Sequence, residues 1–166
     1  MSVITLDFAQ RFIQKYVHAW VICDPDAAIL LVSENFRNVW DPIRSPVQGR
    51  EAYHKLWFDE GSIQEDLEIW WRDPVIDKNF VFCEMWTTMI YHGGEMSNPE
   101  SGQLARAEGI PAQEVTAVGC SAFDFDASGL CCEIREYRSV SPGRHGAPAA
   151  YRHKMTAREE LAALGR

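Results

Sequence analysis

Residues Val115–Val140 read VTAVGCSAFDF, DASG, LCCEIREYRSV, and this stretch decides the fold. Both arms are rich in Val, Ile, Phe, Tyr, Thr and Cys, and a four-residue Asp126–Gly129 connection joins them, which predicts two long antiparallel strands and a tight turn. Side chains alternate along a strand, so Cys132, Ile134, Glu136 and Arg138 share one face of the second arm. Ser121 and Phe123 share one face of the first. Upstream, Phe80–His92 and Leu67–Asp77 carry the same composition, with Asp77-Lys78-Asn79 as their turn. Met85, Thr87 and Met89 alternate onto one face there. Gly93–Glu114 separates two of these strands and holds Gly, Pro and Ser; it is expected to be a mobile flap or a covering loop.

The period changes toward the N-terminus. Phe8, Phe12, Tyr16 and Trp20 recur every fourth residue, joined by Ile13 and Val17, which predicts an amphipathic helix over Leu6–Ile22. Asp24-Pro25-Asp26 restarts a helix expected to end near Glu34: Asp24 caps, proline suits the first helical position and Asp26 favours the positive end of the dipole. Phe36–Trp40 reads as a short strand that Asp41-Pro42 stops. A third helix is expected from Gly49 to Glu60, with Tyr53, Leu56 and Trp57 on one face and Gly61 as terminator. After a Pro- and Gly-rich tail over Ser141–Ala149, Thr156-Ala-Arg-Glu159 is a capping box that opens a short last helix. Helices followed by an antiparallel sheet define an α+β layout in a single domain over 1–140 with the insert at 93–114, followed by a tail over 141–166.

The chain has 166 residues, 46% hydrophobic and 11% aromatic, enough for one packed core. Asp and Glu number 24 against 16 Lys and Arg, so the formal charge is −8. An acidic surface repels phosphate backbones and anionic membranes, and the expectation is no nucleic-acid and no membrane partner. No apolar run approaches the roughly twenty residues that span a bilayer, and the start of the chain carries no charged leader with an apolar region, so a cytoplasmic protein is expected. The cysteines, Cys23, Cys83, Cys120, Cys131 and Cys132, lie in apolar stretches and read as reduced, structural thiols. There is no Cys-x-x-Cys or His-Glu-x-x-His, and neither a metal nor a cofactor is expected.

The order of elements, together with Tyr16, Asp24-Pro25-Asp26, Val39-Trp40-Asp41-Pro42, Gly49-Arg50-Glu51, Phe123-Asp124-Phe125-Asp126 with Gly129, and Arg135-Glu136-Tyr137, resembles the nuclear-transport-factor-two-like superfamily. That superfamily includes ketosteroid isomerases, scytalone dehydratase, limonene epoxide hydrolase and SnoaL-like polyketide cyclases. The resemblance implies a cone: a strongly curved, mixed but mainly antiparallel sheet, with the N-terminal helices packed on its concave face. It also implies a homodimer through the outer sheet face, where Ile69-Trp70-Trp71 offers apolar surface.

By resemblance to ketosteroid isomerase, Tyr16 takes the place of the tyrosine that donates to a substrate oxyanion and Asp41 that of the aspartate that moves the proton. The same resemblance turns the Glu136 face inward, so Glu136 becomes a candidate base or orienter of a base, with Arg138 keeping it ionised or binding an acidic substrate. Ser121 stands where that family has a second acidic donor, and a serine has no carboxyl to hold neutral. Trp20, Trp40, Trp57, Met85, Met89, Ser121, Phe123, Ile134 and Arg138 are the expected pocket walls. For the inward histidines of scytalone dehydratase the only strand candidate is His92, at the edge of the insert, and the Arg-x-Asp of limonene epoxide hydrolase has no clean match. The function expected is a SnoaL-like enzyme catalysing cofactor-independent proton transfer (isomerisation, cyclisation or dehydration) on a hydrophobic carbonyl-bearing metabolite, with Asp41, Tyr16 and Glu136 catalytic. The alternative is a non-catalytic ligand-binding or assembly module on the same cone, because one fold carries many chemistries.

Overall fold

A computed structural model describes residues 4–39, 45–98, 103–106, 109 and 111–165, with the side chains of 94–98 and 103–106 outside that description. Helix α1 spans Leu6–Val21; its N-cap Thr5 accepts from Phe8 N, and Phe12, Ile13, Tyr16, Val17 and Trp20 are buried along one stripe. Helix α2 covers Pro25–Ile29, capped by Asp24, which accepts from Ala27 N. It ends well before Glu34, because the extended run needed for pairing begins at Val32 rather than Phe36. Strand β1 is Val32–Val39, followed by β2, Val47–Gln48, and α3, Arg50–Ser62. Gly61 does not terminate α3; the helix runs one residue past it, and Ile63 N closes the last turn on the Glu60 carbonyl at 3.2 Å.

The remaining strands are β3 (Gln64–Trp71), β4 (Val75–Asp77), β5 (Phe80–Tyr91), β6 (Gly94–Asn98), β7 (Gln103–Arg106), β8 (Gln113–Phe125), β9 (Cys131–Pro142) and β10 (His153–Thr156), with α4 at Ala157–Ala163. The main sheet runs β10-β3-β5-β8-β9-β1-β2, with β4 added alongside β5. All pairings are antiparallel except β1 with β9, so the sheet is mixed. The α+β cone read from the sequence is the fold observed, with the N-terminal helices against the sheet and a short C-terminal helix. Among its described residues the 93–114 insert carries an antiparallel arm of β6 and β7, and β7 lies against α3.

Residue pairing fixes the inner face. Ser121 stands opposite Glu136, Phe123 opposite Ile134 and Gly119 opposite Arg138. A register shift between Asp124 and Phe125 leaves Cys132 as the extra residue of a β-bulge. Cys131 is therefore the fully buried neighbour, and the expected inward position of Cys132 is corrected by one residue. Gly119 is required for close approach: a Cβ there would overlap the Tyr137 carbonyl oxygen and lie 2.9 Å from the Arg138 Cα.

The tail crosses the opposite face. Thr116 Oγ1 donates to the Gly143 carbonyl at 2.7 Å and accepts from His145 N at 2.9 Å, and Trp86 Nε1 donates to the His145 carbonyl at 2.9 Å. Arg144 meets Asp66, Glu68 and Glu114 at 2.8, 3.7 and 3.3 Å, so one guanidinium ties the ends of β3 and β8. Strand β10 then pairs with β3, and α4 opens with the expected capping box: Glu159 N donates to Thr156 Oγ1 at 3.2 Å while Thr156 Oγ1 donates to Glu159 Oε2 at 2.9 Å.

Candidate active site

The narrow end of the cone is filled by aromatic rings. Phe12 meets Phe123 and Phe125 edge to face at 5.1 and 4.7 Å, Tyr16 meets Phe123 at 5.1 Å, and Trp20 stacks on Trp57 at 4.0 Å. This packing consumes Trp20, Trp57, Phe123 and Ile134, all buried in the core. They lie beneath the cavity rather than around it, and Met85 is also buried among core residues.

Above that floor the cone opens into a cavity of about 400 Å³ lined by Glu60, Gln64, Met89, Tyr91, Val115, Ala117, Glu136, Arg138 and Val140. Its walls combine apolar side chains with a few polar and charged ones, the composition of a small-molecule site. A second depression, of about 540 Å³, lies between α1, α2 and α4 and is lined by Lys15, His18, Leu30 and Glu160 among others. Its His18–Glu160 pair, 3.0 Å apart, has side chains about a third exposed, so no polar group there is held out of water.

Glu136 is the polar focus of the cavity. It is 4% exposed, and its Oε1 accepts from the Tyr16 hydroxyl at 3.0 Å and from Ser121 Oγ at 3.3 Å while pairing with Arg138 Nη2. A buried charge requires such compensation. Burial, and then the Glu136 charge, raise the Tyr16 phenol well above its ordinary 10.0 against the opposing pull of Arg138, so it stays protonated and donates. Burial works against the Arg138 charge, but Glu136, then Tyr16 and Glu60, outweigh it and hold the guanidinium above its usual value. No other hydrogen bond or ion pair to Arg138 is found among the described residues, and its side chain, one quarter exposed, lines the cavity.

The structure thus brings Tyr16, Ser121, Glu136, Arg138 and Met89 together from α1, β8, β9 and β5. Asp41 and Trp40 lie outside the described residues. The Tyr16 hydroxyl donates to Glu136 at 3.0 Å.

Glu60, Gln64, Tyr91, Val115, Ala117 and Val140 were not anticipated. Val115 and Ala117 continue the alternation of Ser121 and Phe123, and Val140 that of Glu136 and Arg138, so their signal was present. Glu60 was legible too: it follows Tyr53, Leu56 and Trp57 on the same helical stripe and stands where an apolar residue belongs. Among the described residues no group of three or more His, Cys, Asp or Glu side chains is arranged to hold a metal ion.

A curved sheet closed by helices, with an apolar cavity that ends on a buried, hydrogen-bonded carboxylate, defines a small-molecule-binding cone protein. The chain belongs to the SnoaL-like domain family, whose model matches residues 13–134. Solved structures share the fold. A proposed polyketide cyclase of Xanthomonas campestris pv. campestris is 19% identical, with 79% of this chain and 90% of that one covered at a TM-score of 0.57. The epoxide hydrolase/cyclase-like enzyme SalBIII, with a role in pyran ring formation in the polyether salinomycin, is 13% identical over 81% and 95% at 0.60. TsrD from Streptomyces laurentii is 16% identical over 81% and 90% at 0.62. No curated protein matches the chain by sequence. No helix among the described residues is long and apolar enough to cross a membrane.

Proposed function

We propose that this protein is a SnoaL-like enzyme that transfers protons on a hydrophobic carbonyl compound without a cofactor, in the course of isomerisation, cyclisation or dehydration. The observation that carries the reading is Glu136, a buried carboxylate facing an apolar cavity, with one oxygen held by Tyr16, Ser121 and Arg138. That grip fixes the carboxylate's position and leaves Oε2 without a hydrogen-bond partner among the described residues. Oε2 takes the proton next to the substrate carbonyl, and the apolar walls exclude water from the carbanion. Arg138 donates to the carbonyl oxygen as it becomes an enolate, the electrostatic role that acyl and proton transfers place on an oxyanion site. Tyr16 and Ser121 position Glu136.

The test is turnover on a panel of apolar enolisable ketones. Glu136→Gln keeps the shape and removes the base, so it is expected to cost about 10²- to 10⁴-fold in rate. Retention of wild-type turnover by Glu136→Gln, with its loss in Asp41→Asn, would move the base to Asp41. Ligand binding without turnover in any variant, wild type included, would favour the binding-module reading. The assembly proposed is a homodimer in the cytoplasm, formed through the part of the outer face that the tail leaves open, where Tyr137 is 49% exposed. A monomer in sedimentation at micromolar concentration would contradict it.

A further inference from the structure

We propose that Gln64 and Tyr91 read a hydroxyl group on the substrate at the end remote from its carbonyl, so that the preferred substrates of this protein are hydroxylated apolar ketones. The placing of the carbonyl at Arg138 rests on the proton-transfer reading; the hydroxyl site is carried by contacts of its own.

Gln64 on β3 and Tyr91 on β5 are a cross-strand pair, and both line the cavity. Directly opposed residues of antiparallel strands share a face, close enough to serve one ligand group together. Gln64 Nε2 donates to Glu60 Oε2 at 3.3 Å. An amide oxygen turned to that carboxylate would be repelled, so the contact fixes which end of the amide is which and leaves Gln64 Oε1 as an acceptor without a partner among the described residues. Tyr91 is its complement. Burial, and then the Glu60 charge, raise the Tyr91 phenol, so it stays protonated and donates. No hydrogen bond to its hydroxyl is found among the described residues. Both side chains are half-buried, and polar groups that give up part of their water take partners from what enters the cavity.

A donor beside an acceptor matches one simple group. A hydroxyl gives its hydrogen to Gln64 and accepts one from Tyr91, whereas a ketone or an ether only accepts and an ammonium only donates. Glu60 serves this site as an ionised group: it orients Gln64, and its charge reaches both Tyr91 and Arg138.

Strand register sets the hydroxyl site apart from the catalytic carboxylate. Arg138 stands opposite Gly119 on β8, and Tyr91 stands opposite Gln113. Those levels are six residues apart along β8, about 20 Å of strand, a span that the reach of the Arg138 and Tyr91 side chains shortens. The apolar Met89, Val115, Ala117 and Val140 belong to the levels between them. The cavity therefore runs from a charged end through an apolar stretch to a hydrogen-bonding end, the pattern of a ring system that carries oxygen at both extremities.

The experiment compares 2-tetralone with 6-hydroxy-2-tetralone, whose hydroxyl lies on the ring away from the carbonyl, on the purified protein. Calorimetry reads the two dissociation constants, and deuterium uptake beside the carbonyl in D2O, read by NMR, reports proton transfer. Wild type is expected to bind the hydroxy ketone about tenfold more tightly. Tyr91→Phe and Gln64→Met are each expected to bring that ratio to within about twofold. The ratio compares two ligands on one preparation, so partial unfolding of a variant does not alter it. 6-Methoxy-2-tetralone, which accepts but cannot donate, is expected to bind no more tightly than 2-tetralone. A wild-type ratio within about twofold, or one that stays near tenfold in both variants, would overturn the role of Gln64 and Tyr91, and uptake persisting in wild type would leave the proton-transfer reading standing. Equal affinity for the methoxy and hydroxy ketones would overturn the hydroxyl as the group that is read. A tenfold ratio that both variants lose, with no uptake above buffer in wild type, would support the hydroxyl site and overturn proton transfer.

Discussion

The two ends of the cone are built from the same strands and serve different purposes. At the narrow end Phe12, Phe123 and Phe125 interlock edge to face, and every large side chain finds another ring. At the wide end the same β8 and β9 carry Val115, Ala117, Val140, Arg138 and Glu136 around empty space. Tyr16 is the boundary: its ring packs on Phe123 and Trp57, and its hydroxyl reaches Glu136. The contrast teaches that the aromatic end holds the frame rigid so that one carboxylate can be held, buried and charged, at the edge of a cavity.

If this division is right, substitutions at the two ends must separate stability from activity. The largest effect on activity is expected at Glu136→Gln, about 10²- to 10⁴-fold in rate, accompanied by a lower melting temperature because Arg138 is left without its paired carboxylate. Phe123→Ala is expected to cost about 3–5 kcal/mol of stability by leaving a cavity between Phe12 and Tyr16, which a urea titration would read. At the boundary, Tyr16→Phe removes a hydrogen bond to a charged group and is expected to cost about 1.5–3 kcal/mol, lowering both stability and turnover. Ser121→Ala, with its longer 3.3 Å contact, is expected to cost about 1 kcal/mol or less. A Tyr16→Phe that lost stability alone, with turnover intact, would break the link between the two ends.

Alkaline titration sharpens the same comparison. Burial raises Tyr16 and Tyr53 well above 10.0 and pushes the Cys83 thiol from 9.0 up to about 12. These groups hold their protons more tightly folded than unfolded, so their contribution is complete below their ordinary values and is lost as pH rises through the folded ones. The unfolding free energy read from urea titration is expected to begin falling at about pH 9 and to keep falling to about pH 12, by up to about 1.4 kcal/mol per pH unit for each such group. Tyr16→Phe is expected to blunt that fall. A midpoint that is flat over this window would mean the narrow end is less closed than the ring contacts imply.

Much of the frame was legible because it rests on local chemistry. The four-residue spacing of α1, the Asp24-Pro25 cap, the Thr156–Glu159 capping box and the alternation through Ile134, Glu136 and Arg138 are all short-range signals. What was not legible depends on pairing. The bulge that exchanges Cys131 for Cys132, the early start of β1 at Val32 and the return of β10 beside β3 are set by partners far away in sequence. The cavity walls divide the same way. Val140 was recoverable from alternation and Glu60 from its place on a helical stripe, but nothing local shows that α3 and β9 face one another across a void. The expected tryptophan walls failed to line it because Trp20 and Trp57 stack on each other instead. Gly119 is a further case: only the pairing of β8 with β9 shows that a side chain there would strike the Tyr137 carbonyl, so Gly119→Ala is expected to displace Arg138.

The most direct test of the account is a crystal structure with 2-naphthol, a planar apolar enol that imitates the enolate of a hydrophobic ketone. The account predicts its rings against the wall formed by Met89 and Val115 and its oxygen within about 2.7–3.1 Å of an Arg138 nitrogen, beside Glu136. Binding in the depression between α1, α2 and α4, with the mouth of the cone left empty, would contradict it.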